Sequence, residues 1–374
     1  MFKAVLASLT ASMALTGMVQ GWTNHALPEQ TSTTNSVTSQ GASSYSNWYN
    51  GVYIQQVKEN SHLRTYVYPR LEGLPNQSVE RKLNAYLKKI GTPAPTTSHD
   101  SMNTTYGLLM QRGPLLELMM DSYDYPQGAA HGMPGQMAVM INLSDGTVYN
   151  ISDLFKSGAN YLARLSNGVR AQDKQHVLDT FSKFTGVTKH DGYYLTNTGV
   201  AVFFSPYEWT PFALGFPTFT VPYGYLSSIL NRQSSLWQAF NSPAAVAEQR
   251  AENADLRKIH SLGYAPLTNP TDSFAQTGTS QHQELYVWAA EPKAVTDGSV
   301  QKLFFFLGTR YLGTDTWRDH GPVYDLTPTG QGTISATYVG NVGENDFTIA
   351  YHWTGHTMKL TPAFPSKYKG WSNK

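Results

Sequence analysis

The segment Pro206–Tyr225, PYEWTPFALGFPTFTVPYGY, restricts the fold more than any other part of the chain. Its four prolines, Pro206, Pro211, Pro217 and Pro222, fix φ and remove backbone donors, so neither a helix nor a central strand runs through it. Its seven aromatic residues nevertheless demand burial. A segment under both demands is expected to wrap, irregular and extended, over a sheet built elsewhere in the chain. Glu208 is its only charge, set between Tyr207 and Trp209. Dry and unpaired, that carboxylate would be disfavoured and its pKa raised in the manner of a general acid. Held by backbone or arginine hydrogen bonds, it would only pin the cover.

A second constraint is Asp121–Gly135, DSYDYPQGAAHGMPG. Pro126, Gly128, Gly132, Pro134 and Gly135 cannot continue a helix or a central strand, and they predict a shaped, close-packed loop that holds His131 rigidly. Such a histidine serves either function or the loop's own hydrogen bonding. The Gly128–Gly135 loop and the Tyr207–Tyr223 cover are expected to bound a groove, with Tyr125, His131, Tyr207, Glu208 and Trp209 as its candidate binding residues.

The 374 residues suffice for two domains, each with a core of its own. Lys plus Arg number 27 and Asp plus Glu 26, balanced on both sides of position 240, which argues against nucleic acid or an anionic membrane surface as the partner. Met1–Lys3 followed by AVLASLTASMAL reads as a secretory signal peptide over residues 1–21, cleaved after Gly21; its apolar run is shorter than the roughly 20 residues a span needs. Membrane attachment is expected only if this segment is retained. With no cysteine, a lipobox and a disulfide framework are both excluded. Residues 22–50, rich in Ser, Thr, Gln and Asn, read as a flexible linker.

Residues 51–240 predict an α+β domain. β-type runs occur at Val52–Val57, Leu63–Tyr68, Thr104–Met110, Leu115–Tyr123, Gln136–Leu143 and Val148–Ile151. Asn76 caps a helix whose apolar positions Val79, Leu83, Leu87 and Ile90 recur at helical spacing. Tyr161, Leu162, Leu165 and Val169 suggest a second helix, and Val177, Leu178, Phe181 and Phe184 a third. Tyr193–Leu195 and Val200–Phe204 return to strand, and a short helix is expected around Leu226–Leu230. Residues 241–262 predict a helical connector, and 263–374 a small mainly-β sandwich or half barrel with runs at Leu285–Trp288, Lys302–Leu307, Gly332–Val339 and Phe347–His352. The fold class expected is α+β: a mixed, mainly antiparallel sheet with packed helices, followed by a mainly-β unit.

Tyr68-Pro69 with Leu71 and Gly73, the GAAHG of Gly128–Gly132, Asp153-Leu154-Phe155 and the YEWTPFALG of Tyr207–Gly215 resemble an exported domain of unknown function, shared by RsiV-type anti-sigma factors and PdaC-type peptidoglycan deacetylases. The resemblance covers about Val52–Leu230. It implies an α+β envelope module that in RsiV-type proteins binds lysozyme and in the deacetylases accompanies a separate catalytic domain. With only Met1–Lys3 ahead of the apolar run, a cytoplasmic sigma-binding segment is not expected. Nothing after position 240 resembles a deacetylase. Phe304–Gly308 to Thr314-Asp315, followed by Gly332–Tyr338, is similar to the LppP/LprE lipoprotein family, without the lipid-accepting cysteine.

No GxSxG elbow, Walker loop or Rossmann fingerprint is present, so acyl, phosphoryl and hydride transfer lack support in the sequence. His352 and His356 stand four apart, but Gly355 and β-type surroundings argue against a metal-gripping helix. Asp319-His320 reads as an exposed dipeptide on a polar loop. The sequence calls for no cofactor and no metal, and it sets no oligomeric state. The expected function is that of an exported cell-envelope or secreted binding protein with no catalytic role, recognising a lysozyme-like protein or a peptidoglycan fragment. The alternative is a cell-wall-modifying hydrolase using His131 and Glu208.

Overall fold

The computed structural model describes residues 48–95, 99–267, 273–294, 301–315, 323–339, 346–362 and 371–372. The stretch 1–21 read as a signal peptide, the Ser/Thr-rich stretch as far as 47, Asp319-His320 and the turn signals of the sequence at Asn269-Pro270, Asp297-Gly298 and Asn341–Asn345 lie outside the described residues.

Strands β1 (Tyr53–Ser61) and β2 (Arg64–Glu72) pair antiparallel in full register, Tyr53 against Glu72 and Ser61 against Arg64. The Asn76 side chain then accepts from the Ser78 and Val79 amides and starts α1 (Gln77–Gly91), which buries Val79, Leu83 and Leu87. Lys88 and Lys89 lie in its last turn, where the helix dipole favours positive charge. The helix is a crossover: it returns the chain so that β3 (Ser101–Arg112) pairs parallel with β2, Arg64–Tyr66 against Met102–Thr104. β4 (Leu115–Tyr125), β5 (Met133–Asn142) and β6 (Val148–Tyr149) follow antiparallel, completing a six-stranded sheet in the order β1 to β6.

Both faces of this sheet are covered. Side chains alternate along a strand, so Leu116, Leu118, Val139 and Ile141 face α1, while Leu115 and Met140 face the opposite side. There the sheet meets α2 (Tyr161–Gln172), a three-stranded sheet of β7 (Gly192–Leu195), β8 (Gly199–Phe203) and β9 (Thr218–Pro222), and the short helices α3 (Tyr223–Leu226) and α4 (Ser235–Phe240). α2 approaches β9 through Gly168. A β-carbon there would overlap Val221 Cγ1 and come within 2.9 Å of Val221 Cγ2. Gly168→Ala gains up to about 1 kcal/mol of helix propensity but meets roughly 1–3 kcal/mol of overpacking. Net destabilisation is therefore expected, read as a lower urea midpoint; an unchanged or higher midpoint would mean that the helix can move away from the strand.

The helix expected over Val177–Phe184 is absent, and residues 173–191 are irregular. Local side-chain bonding displaces it. Asp173 accepts from the Val177 and Leu178 amides at 2.9 and 3.1 Å, and Asp179 accepts from the Phe184 amide. His176 and Asp179 adopt φ of +53° and +70°, incompatible with a right-handed helix. The apolar spacing still works, because Leu178 and Phe184 are buried. The short helix expected around Leu226–Leu230 lies earlier, at Tyr223–Leu226.

Ser242 caps α5 (Pro243–Ser261) through the Ala245 amide at 3.1 Å, with Pro243 in the first turn. Although it joins the two halves of the chain, α5 is packed along its length: Glu252, Asp255 and Ile259 are buried. Arg112 Nε donates to Glu252 Oε1 at 2.8 Å, its Nη2 donates to Glu252 Oε2, and its Nη1 donates to Asn197. One guanidinium thus ties β3, the β7–β8 turn and α5 together.

Beyond α5, β10 (Tyr264–Pro266), β11 (Phe274–Gly278), β12 (Glu284–Pro292), β13 (Lys302–Leu307), β14 (Arg310–Asp315) and β19 (Trp371–Ser372) form one sheet, with β11 also pairing with β12. β15 (Val323–Gly330), β16 (Thr333–Tyr338), β17 (Phe347–Trp353) and β18 (Met358–Thr361) form another. The two pack as a sandwich. Leu303, Phe305 and Leu307 point into its core, whereas Phe304 and Phe306, with Tyr286 and Trp288, point into the core shared with α1 and the first sheet. Burial on both faces explains the unbroken LFFFL run. Gly278 N donates to Val52 O at 3.1 Å and Tyr106 Oη to Pro328 O at 2.7 Å, so the halves are stitched by hydrogen bonds as well. The fold is α+β, built mainly of antiparallel sheets. Among the described residues no helix is long and apolar enough to cross a membrane.

Candidate functional site

The loop between β4 and β5 is closed by its own tyrosines. Tyr125 Oη donates to Ala129 O at 2.9 Å, and the Gly132 amide donates to Tyr123 Oη at 3.1 Å. Asp100 accepts from the Gln127 amide at 3.0 Å and anchors the far side. These bonds carry His131 outward. Its Nδ1 lies 3.0 Å from Gly132 O, a partner that can only accept. Nδ1 therefore donates to it, and Nε2 lies 3.4 Å from Tyr207 Oη.

Tyr207 belongs to the proline-rich cover, so the structure brings the two segments together. The cover is irregular from Ser205 to Pro217 apart from a single turn at Phe212–Leu214, and it enters β9 at Thr218. Tyr207 sits at φ +67°, a left-handed conformation that costs a non-glycine residue about 1–2 kcal/mol. Its amide donates to Thr210 O at 3.1 Å, closing the bend that imposes this geometry. The result is a surface cluster. The Phe212 ring lies 4.6 Å from His131 and 5.4 Å from Tyr207, and Phe181 lies 5.3 Å from Tyr207. Phe181 is 54% exposed and Tyr207 38%, so water reaches ring faces that a core would hide.

The other candidate residues point elsewhere. Trp209 packs edge-on against the buried Phe184, at 5.3 Å and 85°, and anchors the cover. The Phe181 amide donates to Trp209 O at 3.1 Å and Ser182 Oγ donates to Glu208 O, tying the irregular 173–191 stretch to the same cover. Glu208 accepts from the Ser205 amide at 3.2 Å and faces Asp191. Burial, and then the Asp191 charge, push the Glu208 pKa up. Burial raises Asp191 as well, although the Thr188 amide donates to it at 2.7 Å. His131 and Glu208 share no hydrogen bond among the described residues; the glutamate pairs with another carboxyl instead. Sequence reasoning did not place Phe181 or Phe212 in the patch, nor Asp191 beside Glu208. Phe181 carried an apolar signal that helical spacing assigned to a core, and no short-range pattern links Asp191 to Glu208.

A surface cluster of three aromatic rings and an imidazole, on loops tied down by hydrogen bonds, is suited to holding a partner's apolar or planar surface. Among the described residues no group of three His, Asp or Glu stands ready to hold a metal ion. His352 gives Nδ1 to a 2.8 Å contact with Thr333 Oγ1 on the neighbouring strand, and His356 lies in the β17–β18 turn.

No curated protein matches the chain. Among solved structures it is similar to a member of the DUF3298 family from Bacteroides fragilis NCTC 9343, at 15% identity over 51% of this chain and 97% of that one, with a TM-score of 0.41. It is also similar to a DUF3298 family protein from Pseudomonas aeruginosa PAO1, at 17% identity over 48% and 94% of the two chains, with a TM-score of 0.36. Residues 152–224 match the family described as Protein of unknown function (DUF3298), so Phe181, Tyr207 and Phe212 lie within a DUF3298 domain, while His131 reaches them from outside it.

Proposed function

We propose that the protein is an exported cell-envelope or secreted binding protein with no catalytic role of its own, and that its partner docks on the surface formed by Phe181, Tyr207, Phe212 and His131. The observation that supports this reading is Tyr207: a large aromatic side chain held outward by a left-handed backbone that hydrogen bonds enforce. Such strain persists only where surrounding structure imposes it, and it concentrates at binding and active sites. Exposed aromatic anchors on a rigid frame are the usual source of interface energy. The finer resemblance to RsiV-type domains makes a lysozyme the first partner to test and a soluble peptidoglycan fragment the second.

Tyr207→Gly separates a binding role from a structural one. Glycine adopts positive φ without penalty, so folding stability is expected to change by less than about 1 kcal/mol. Loss of the ring is expected to weaken partner binding by about 2 kcal/mol, roughly 30-fold, in calorimetric titrations. If neither lysozyme nor the wall fragment binds the wild-type chain, both partners are removed. If one binds and Tyr207→Gly binds it equally well, the patch is not the docking surface.

A further inference from the structure

β5 is covered on its outer side over only part of its length. It pairs with β4 throughout, Met133 against Asp124 and Asn142 against Leu115, but β6 reaches it only at Met140 and Ile141. The hydrogen bonds at its end fix which way its backbone groups point. Asn142 N donates to Thr147 O and Asn142 O accepts from the Gly146 amide, both on the β6 side, whereas the Leu143 amide turns to Pro114 O on the β4 side. Alternation along the strand then sends the N–H and C=O of Gln136, Ala138 and Met140 outward. β6 takes up Met140, and among the described residues no strand pairs with Gln136 or Ala138 on that side. The β7–β8 layer packs on one face of this edge, around Ala138, without pairing with it.

The free edge is bounded at both ends. Pro134 has no N–H to give and β6 occupies the strand from Met140, so the open stretch is Gly135–Val139, with Met137 at its centre. Met133 and Met137 share the α1 face of the strand with Val139 and Ile141, yet they are 40% and 41% exposed. Edges of this kind are commonly blunted by lysine or another charge, and Met133–Asn142, MPGQMAVMIN, carries none.

We infer that β5 pairs edge to edge with β5 of a second copy of this chain, antiparallel, about a two-fold axis at Met137. Outward N–H and C=O groups at strand spacing are complementary to another extended polypeptide. The limits set by Pro134 and β6 lie evenly about Met137, so a two-fold there uses the whole open stretch. Gln136 then stands opposite the other copy's Ala138 on each side of the axis, every such pair exchanging both of its N–H···O bonds. Met137 meets its own counterpart as a close, non-hydrogen-bonded pair, and the two flexible thioether side chains cover each other. No charge enters the ladder, so an identical strand meets no repulsion. A ladder this short falls below the roughly 1,200 Å² of a standard interface, which makes the dimer reversible and concentration-dependent.

The chain has no cysteine, so a single introduced thiol reports the register. In the full chain carrying Met137→Cys, the paired α-carbons would stand about 4.5 Å apart, within disulfide reach, and mild oxidation is expected to link the protein as a dimer. Met133→Cys is the control. Its site is equally exposed, but the register holds the two copies of it roughly 27 Å apart, and linking should be at least about tenfold slower. Sedimentation velocity of the wild type should show a monomer–dimer equilibrium that shifts with concentration. Met137→Lys sets like charges against each other on the axis and should weaken dimerisation roughly tenfold, with an unchanged urea midpoint because the position is exposed. A wild type that stays monomeric at every concentration, equal linking of the two cysteine variants, or a Met137→Lys chain that dimerises as the wild type does would each overturn the assignment. The edge shares no residue with the aromatic patch, so its failure would leave that reading untouched.

Discussion

Arg112→Met is expected to destabilise the protein by about 3–5 kcal/mol, because it strands a buried carboxylate. Arg112 and Glu252 are each 6% exposed at the side chain, and their bonds join β3 to α5. Among the described residues Arg112 is the only cation paired with Glu252, and the fully buried Asp255, one turn further along the same helix, is another acid that offers no positive charge. Asn197, which also accepts from Gln249 Nε2 at 2.9 Å, would lose its charged donor as well. Arg112→Met with Glu252→Met removes both charges and should recover most of the loss, since hydrophobic replacement of a buried ion pair is often close to neutral. Urea midpoints of the wild type and the two variants measure this directly. A loss below about 1 kcal/mol in the single variant would mean that water reaches Glu252.

Stability is also expected to fall as pH rises from about 4.5 to about 8, the reverse of the usual acid sensitivity. Burial pushes Glu117 up to about 8, although the Leu195 amide donates to both of its oxygens at 3.2 Å and Arg112 lies nearby. Burial likewise carries Asp255 up to about 8 and Glu248 up to about 7. An acid whose pKa is higher in the folded chain holds its proton more tightly when folded. Its contribution is therefore complete below the unfolded value near 4 and is lost as pH climbs to the folded value. Each such group is worth up to a few kcal/mol on this scale. Glu59, lowered chiefly by its hydrogen bond from Lys88, and Asp179, lowered chiefly by Arg170, act in the opposite sense. Both are exposed and screened, so the buried acids decide the sign. Glu117→Gln should flatten the profile, matching wild type near pH 5 and exceeding it near pH 8.5. A wild-type profile that rises across this interval would show that these carboxyls are not held neutral.

Elements whose cause is local were legible in the sequence. Asn76 with its amphipathic run marked α1, and the alternating or continuous apolar runs marked most strands, because capping and burial leave their trace within a few residues. The parallel β2–β3 joint left no such trace, since it depends on where α1 returns the chain. The helix expected over Val177–Phe184 failed for a local reason that spacing does not register: Asp173 and Asp179 bind the backbone amides themselves. At the candidate site, the meeting of the His131 loop with the proline-rich cover followed from chemistry visible in both segments. Phe181 and Asp191 did not, because their neighbours are set by the irregular stretch that replaced the helix.

The β12–β13 ribbon makes the interiors of the two halves depend on each other. Successive residues from Leu303 to Leu307 answer alternately to two different sets of neighbours, one drawn largely from the chain before α5 and one wholly from the chain after it. A change of size at Phe304 or Phe306 must be absorbed by residues some two hundred positions upstream, and a change at Phe305 by those a few dozen downstream. Neither half can be repacked along this seam without the other, so a change of side-chain volume there calls for a compensating change across it.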